Sequence, residues 1–141
     1  MKRKPRPSRR SGCPISIALE IFGDSWSLLI VRDLMFKGLH TFNEFLAAGE
    51  GIASNILTDR LAKLEAAGIV TKSAHEADAR RFRYRLTEKG IDLAPALAEI
   101  VLWSARYEKT DAPANTLRTM RTHREEFLAG VREQWRANTG S

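Results

Sequence analysis

Between Ser54 and Lys63 the chain carries Ser54, Asn55, Thr58, Asp59, Arg60 and Lys63, while Leu57, Leu61 and Leu64 recur at helical spacing. On a helix the leucines share one face and the polar residues surround the other. Such a polar face can read base-pair edges: Asn can bond adenine bidentately, Arg can bond guanine, and Ser and Thr suit bases or phosphate. The unpaired amides at the helix start can face a phosphate. The same residues would serve equally as the solvated side of an amphipathic helix. A second cluster decides between these readings. Arg80, Arg81, Arg83 and Arg85 lie together with no acid among them. From Arg81 to Leu86 the residues alternate, with Phe82, Tyr84 and Leu86 on one strand face and the arginines on the other, solvent-facing side. A basic strand suits the phosphate backbone or the adjacent minor groove. Together the two clusters point to double-stranded DNA.

Cys13 is the other residue with chemistry of its own. It directly precedes Pro14, so it sits at a helix N-terminus with Arg9 and Arg10 nearby. Helix amides and cations favour thiolate, the form that oxidants and electrophiles attack. The same position suits a small residue packed under the helix. As the single cysteine it has no internal disulfide partner, so a reversible disulfide needs a second molecule or a small thiol.

Other chemistries find no constellation. His40, His75 and His123 are scattered, without Cys or acid at metal-ligand spacing. Gly49-Glu50-Gly51 is too short for a phosphate-binding loop. No nucleophile–base pair or catalytic carboxylate pair stands out, so the reading is of a non-enzyme without a cofactor.

The elements that must position these residues follow from local signals. Pro14 opens a first helix through Ile15, Ala18, Leu19 and Phe22, stopped by Gly23. Asp24 and Ser25 are candidate caps for a second helix with Trp26, Leu29, Ile30 and Leu34, ending at Gly38. Thr41-Phe42-Asn43-Glu44 has the capping-box pattern and starts a short third helix with Phe45 and Leu46. After the Gly49-Glu50-Gly51 turn, Ser54 caps a fourth helix to about Ala67, with Gly68 beyond it. Helices three and four form a helix–turn–helix. Ile69–Ser73 and Arg81–Leu86 form strands joined by His75–Arg80, a hairpin or wing. Thr87 caps a fifth helix through Leu93, Leu97, Ile100 and Val101 to about Tyr107. Asp111-Ala112-Pro113 breaks the pattern, and a last helix carries Leu117, Met120, Phe127, Val131 and Trp135. Trp26, Trp103 and Trp135 read as core or interface anchors. Trp103, Tyr107, Phe127, Val131 and Trp135 are candidates for a dimer seam.

The chain has 141 residues, 43% hydrophobic and 28% charged, which suits one domain with extensions. Of its 23 basic residues six lie in the first ten, leaving 17 against 17 acids, so the net charge of +6 belongs to the N-terminal arm. Residues 1–12 read as a disordered basic arm that adds phosphate contacts or is a solvated tail. No apolar run reaches membrane-spanning length, and the arm leads into no apolar core of a secretory signal; a reducing cytoplasm is the simplest location.

Cys13-Pro14-Ile15, Gly23-Asp24-Ser25-Trp26-Ser27-Leu28-Leu29-Ile30, Thr41-Phe42-Asn43-Glu44 and Ile52-Ala53-Ser54-Asn55-Ile56-Leu57-Thr58-Asp59-Arg60-Leu61 occur in order. Leu64-Glu65, Gly68-Ile69-Val70 and Tyr84-Arg85-Leu86-Thr87-Glu88-Lys89-Gly90 follow. In these runs the chain resembles the HxlR-type transcriptional regulators, small bacterial winged-helix proteins related to the MarR group, over about residues 13–107. The resemblance implies homodimers whose first and C-terminal helices make the interface, with the fourth helix in the major groove and the hairpin flanking it. Family members include repressors and activators, and in some a cysteine at the position of Cys13 senses oxidants or electrophiles. The arm before Cys13 is more basic, and the segment after Asp111 longer, than the family pattern.

The expected fold is mainly α (α+β): a winged helix–turn–helix with a two-stranded wing and C-terminal dimerisation helices. The arm spans 1–12, the DNA-binding domain 13–107 and a dimerising helical extension 111–141. The candidate DNA-binding residues are Ser54, Asn55, Thr58, Asp59, Arg60, Lys63, Arg80, Arg81 and Arg83, with Cys13 as a candidate redox sensor. The expected partners are operator DNA, a second copy of the chain, and a small-molecule or oxidant signal, without a membrane. The competing reading is an effector-binding or protein-interaction module on the same scaffold that does not read DNA.

Overall fold

Proline has no amide hydrogen to leave unpaired, so it can open a helix without loss. Helix α1 accordingly runs Pro14–Phe22, with Pro14 in its first turn and Gly23 as its C-cap. The computed structural model describes residues 9–75 and 78–138, with side chains at all of these except 75 and 78–80. The expectations for residues 1–8 of the arm and for the side chain of Arg80 lie outside the described residues. Residues 9–12 are exposed and non-helical, and the Arg10 amide donates to Glu20 Oε1 at 2.9 Å.

Asp24 supplies the cap for α2 (Ser27–Met35): its Oδ1 accepts from the amides of Trp26 at 2.7 Å and Ser27 at 2.9 Å. Helix α2 is the centre of the core, burying Ile30, Val31, Leu34 and Met35. It ends short of the expected stop at Gly38. The capping box of α3 (Phe42–Leu46) forms as the sequence suggests: the Glu44 amide donates to Thr41 Oγ1 at 3.3 Å, and the Thr41 amide donates to Glu44 Oε1 at 3.0 Å. The turn that follows uses glycine at φ 97° (Gly49) and φ 74° (Gly51), a region that side chains avoid. Helix α4 (Ser54–Ala66) turns Leu57, Leu61 and Leu64 into the core. Its cap is Ala53, not Ser54. Ala53 holds the extended backbone, while Ser54 is already helical and its hydroxyl accepts no amide.

The wing is antiparallel: β1 (Val70–His75) pairs with β2 (Asp78–Leu86) in a register from Val70↔Leu86 to Ala74↔Phe82. Both strands run further toward the tip than the sequence suggested. The segment before α3 zips onto the outer edge of β2, where the Tyr84 amide donates to the His40 carbonyl at 2.7 Å and Thr41 bridges Arg83. The alternation on β2 holds only in part. Tyr84 and Leu86 are buried, but Phe82 is 45% exposed. On the other face Arg85 is not solvent-facing: its guanidinium stacks 4.6 Å from the Trp135 ring, and burial pushes its pKa below the ordinary value.

The expected fifth helix is two elements. Thr87 caps a short α5 (Glu88–Ile91), its Oγ1 accepting from the Gly90 amide at 3.1 Å. The chain then breaks at Asp92-Leu93, and α6 (Ala94–Tyr107) starts with Pro95 in its first turn. Pro95 has no hydrogen to donate backward and clashes with the preceding turn, so the helix must restart there. The expected last helix is also two: α7 (Ala114–Thr122) and α8 (Arg124–Ala137), separated at His123 by a non-helical backbone (φ −131°, ψ 47°). Helix α8 folds back on the molecule's own core. Val131 is buried, Phe127 lies 6.3 Å from the Phe36 ring, and Trp135 Nε1 donates to the Leu86 carbonyl at 2.9 Å. The reading of Phe127, Val131 and Trp135 as a dimer seam is therefore corrected; they cover α2 and the base of the wing. Among the described residues no single helix is long and apolar enough to cross a membrane.

Candidate nucleic-acid interface

Helix α4 buries its leucines, so its opposite face must look outward. Ser54, Asn55, Thr58, Asp59 and Lys63 are all exposed there. Their local bonds differ. Thr58 Oγ1 donates to the Ser54 carbonyl at 2.9 Å, one turn back, which leaves its lone pairs available. Lys63 Nζ stands 3.3 Å from Asp59 Oδ2. Asp59 also pairs with Arg60 Nη1, so one acid offsets two cations on this face. Arg60 is half-buried, with Nε 3.1 Å from Asp24 Oδ1 at the start of α2. The separation suits an ion pair, but the Nε hydrogen is not aligned on the carboxylate.

The Asp24 carboxyl is thus a junction. Burial disfavours its charge, yet the Ser27 hydroxyl, the Trp26 and Ser27 amides and Arg60 together hold its pKa down at about 2. Sequence reading took Asp24 only as a helix cap; its reach to Arg60 had no local signal. A second set of contacts seats the turn of the helix–turn–helix. Arg32 bonds Glu50 Oε1 and Asp33 Oδ1, both at 2.8 Å, tying the Gly49–Gly51 turn to α2. Burial pushes the Asp33 carboxyl above its ordinary range despite the adjacent Arg32.

The wing stands beside α4. A shallow groove of about 280 Å³ between them is lined by Thr58 and Ala62 of α4 and by Lys72 and Phe82 of the wing. A second, of about 250 Å³, lies between Arg81, Phe82 and the start of α3 at Thr41 and Asn43. Arg81 is exposed and Arg83 half-buried. The structure therefore leaves Ser54, Asn55, Thr58, Asp59 and Lys63 exposed on α4 and brings Thr58 into one groove with Lys72, while Arg81 lines the other groove, beside α3. It turns Arg60 toward α2. Lys72 was missed because its strand was read only as β-prone. Cys13 is exposed at the N-cap of α1 and lines neither groove.

A family model described as HxlR-like helix-turn-helix matches residues 21–112. The chain belongs to the HxlR-like helix-turn-helix family. The uncharacterized HTH-type transcriptional regulator Rv3095 of Mycobacterium tuberculosis (strain ATCC 25618 / H37Rv) is 36% identical to it over 99 residues. That match takes in 70% of this chain and 61% of the relative, so the HxlR-like chain spans about three fifths of the length of the first curated relatives it matches. Among solved structures, PA1607, a candidate transcription factor, is similar at a TM-score of 0.67 and 38% identity, over 75% of this chain and 72% of that one. The redox regulator HypR in its oxidized form is similar at a TM-score of 0.61 and 29% identity, over 70% of this chain and 100% of that one. The expected family and winged-helix fold class stand. This HxlR-like chain carries the winged helix–turn–helix of its family.

Proposed function

We propose that the protein is a dimeric, sequence-specific regulator that places α4 in the major groove and its wing on the neighbouring backbone or minor groove. The observation that carries this reading is the groove in which Thr58 and Ala62 of α4 face Lys72 and Phe82 of the wing, beside the exposed polar face of α4. Ser54, Asn55 and Thr58 occupy the exposed first turns of α4, where side chains reach base edges. Lys63, Arg81 and Arg83 serve phosphates, and the expectation that Arg80 joins them is proposed from the sequence alone. Arg60 stays with Asp24 and Asp59 and sets the angle of the helix, so base reading falls mainly to Asn55. Such a protein acts where DNA is, in the cytoplasm of a bacterial cell.

Dimerisation is supported by what the fold leaves uncovered. Ile15 and Leu19 on α1 and Ile100, Trp103 and Tyr107 on α6 are exposed large apolar residues. Cys13 is proposed as the signal input, supported by its exposure and by the redox-regulator neighbour. A peroxide would take its thiolate to the sulfenic acid, releasing hydroxide; condensation with a second thiol then gives a disulfide and water.

Selection of bound sequences from a random duplex pool tests the reading. The expected product is a near-palindrome with half-sites about one helical turn apart. Asn55→Ala should relax preference at one base pair per half-site, worth roughly 1–3 kcal/mol. Arg81→Ala should weaken all sequences alike and lower the salt slope by about 1. Selection repeated with peroxide should change affinity in the wild type and not in Cys13→Ser. A pool that yields no enriched sequence would favour an effector-binding module instead.

A further inference from the structure

Alternation on β2 puts Phe82, Tyr84 and Leu86 on one face, yet burial stops short of the end: Leu86 and Tyr84 are covered and Phe82 is 45% exposed. The ring stands between the two grooves that flank the wing, each lined by it. One groove shares Thr58 with the base-reading face of α4; the other ends on Thr41 and Asn43 at the start of α3. Cations stand on both sides. Lys72 Nζ is 4.6 Å from the ring centroid, and Arg81 lines the second groove. Glu65 is the one acid among the described residues lining either groove.

A half-exposed aromatic ring costs apolar hydration unless something covers it. Here the cover must fit between α4 and the wing, carry negative charge toward Lys72 and Arg81, and offer an apolar surface to the ring. A DNA strand has that construction, with phosphates separated by the C–H faces of deoxyribose. We propose that Phe82 is a DNA-contact residue whose ring packs on a deoxyribose of the strand that passes between α4 and the wing. Lys72 and Arg81 take the phosphates on either side of that sugar. This assignment rests on the DNA-binding reading above. It adds an apolar, sequence-independent contact to a surface otherwise made of charges and hydrogen bonds.

The mechanism sets the signature. Covering the exposed part of a Phe side chain by apolar burial is worth about ten-fold in affinity, and it releases no counterions, so the salt slope is untouched. The experiment measures duplex binding by wild type, Phe82→Ala, Phe82→Leu and Arg81→Ala over a salt series, on the selected operator and on unrelated DNA. Thermal melts establish that each variant is folded. The expected result is about ten-fold weaker binding by Phe82→Ala on both DNAs with an unchanged slope, largely recovered by Phe82→Leu. Arg81→Ala instead lowers the slope. Phe82→Ala binding like the wild type overturns the assignment alone, as does a lowered slope, which would mean the ring only holds Lys72 in place. A loss confined to one thymine, and reproduced in the wild type by deoxyuridine there, overturns the sugar contact in favour of a methyl contact. Wild-type protein that binds no duplex overturns the DNA-binding reading and this one together.

Discussion

Asp24 serves two helices at once. Its carboxylate accepts the first amides of α2 and faces the guanidinium of Arg60 on α4, so one side chain fixes the start of the core helix and the pose of α4. The folded pKa of about 2 lies below the ordinary 3.8, so the folded state binds the proton less well than the unfolded chain. The stabilisation from this carboxylate is therefore complete above about pH 4 and is lost as pH falls through about 2. Asp24→Asn keeps an acceptor for the amides but loses the charge facing Arg60. It should lower the melting temperature at pH 7 and flatten the wild type's acid-induced decline between about pH 4 and 2. Melting curves across that range decide it; equal acid profiles would show that Asp24 contributes no linked charge. In the sequence Asp24 could be seen only as a cap, because capping is read from near neighbours. Its partner lies far along the chain, and only packing brings the two together. Thr41 and Glu44, whose partnership is local, were legible in full.

Elements were legible where their signals are local and less so where they end. The capping box, the glycine turn and the three inward leucines of α4 gave the helix–turn–helix correctly. The long C-terminal helices were overdrawn, because apolar spacing alone carries on past Pro95 and His123 while the backbone does not. Gly90 shows how tightly one short element is fitted. A Cβ there would lie 2.4 Å from the Ile69 carbonyl oxygen and 3.0 Å from Leu86 Cδ2. Neither neighbour can yield: the carbonyl belongs to the entry into β1, and Leu86 is in the core. Gly90→Ala must push α5 off the wing, at a cost of about 1–3 kcal/mol. Gly130, in the middle of α8, has nothing within 4 Å of its added Cβ. Gly130→Ala should stabilise by roughly 0.5–1 kcal/mol through helix propensity. Urea unfolding of the two variants separates steric fit from propensity. Loss of stability in both would mean that α8 packs more closely than its surroundings indicate.

Across the whole molecule, the large apolar side chains of the outer helices sort by helix. Those of α8 face inward, while α1 and α6 carry the exposed ones: Ile15 at 71%, Trp103 at 66% and Tyr107 at 64%. The sequence could not make this division. Trp103 and Trp135 look alike as members of apolar stripes, and only the break at His123 decides which stripe folds back. Trp103 stacks 5.8 Å from Tyr107, so the pair already forms one aromatic surface of the kind that anchors interfaces. On the proposed reading of two half-sites, a second copy is the natural cover, since each subunit would raise the effective concentration of the other at its half-site. Trp103→Glu places a charge in the middle of this surface, where the isolated chain has no core contact to lose. The variant should melt close to the wild type, sediment as a monomer where the wild type sediments as a dimer, and bind the operator at least about 100-fold more weakly. Sedimentation equilibrium and operator titration check both consequences. A Trp103→Glu protein that stays dimeric would move the seam off α6, and a monomer that keeps full operator affinity would sever dimerisation from DNA reading.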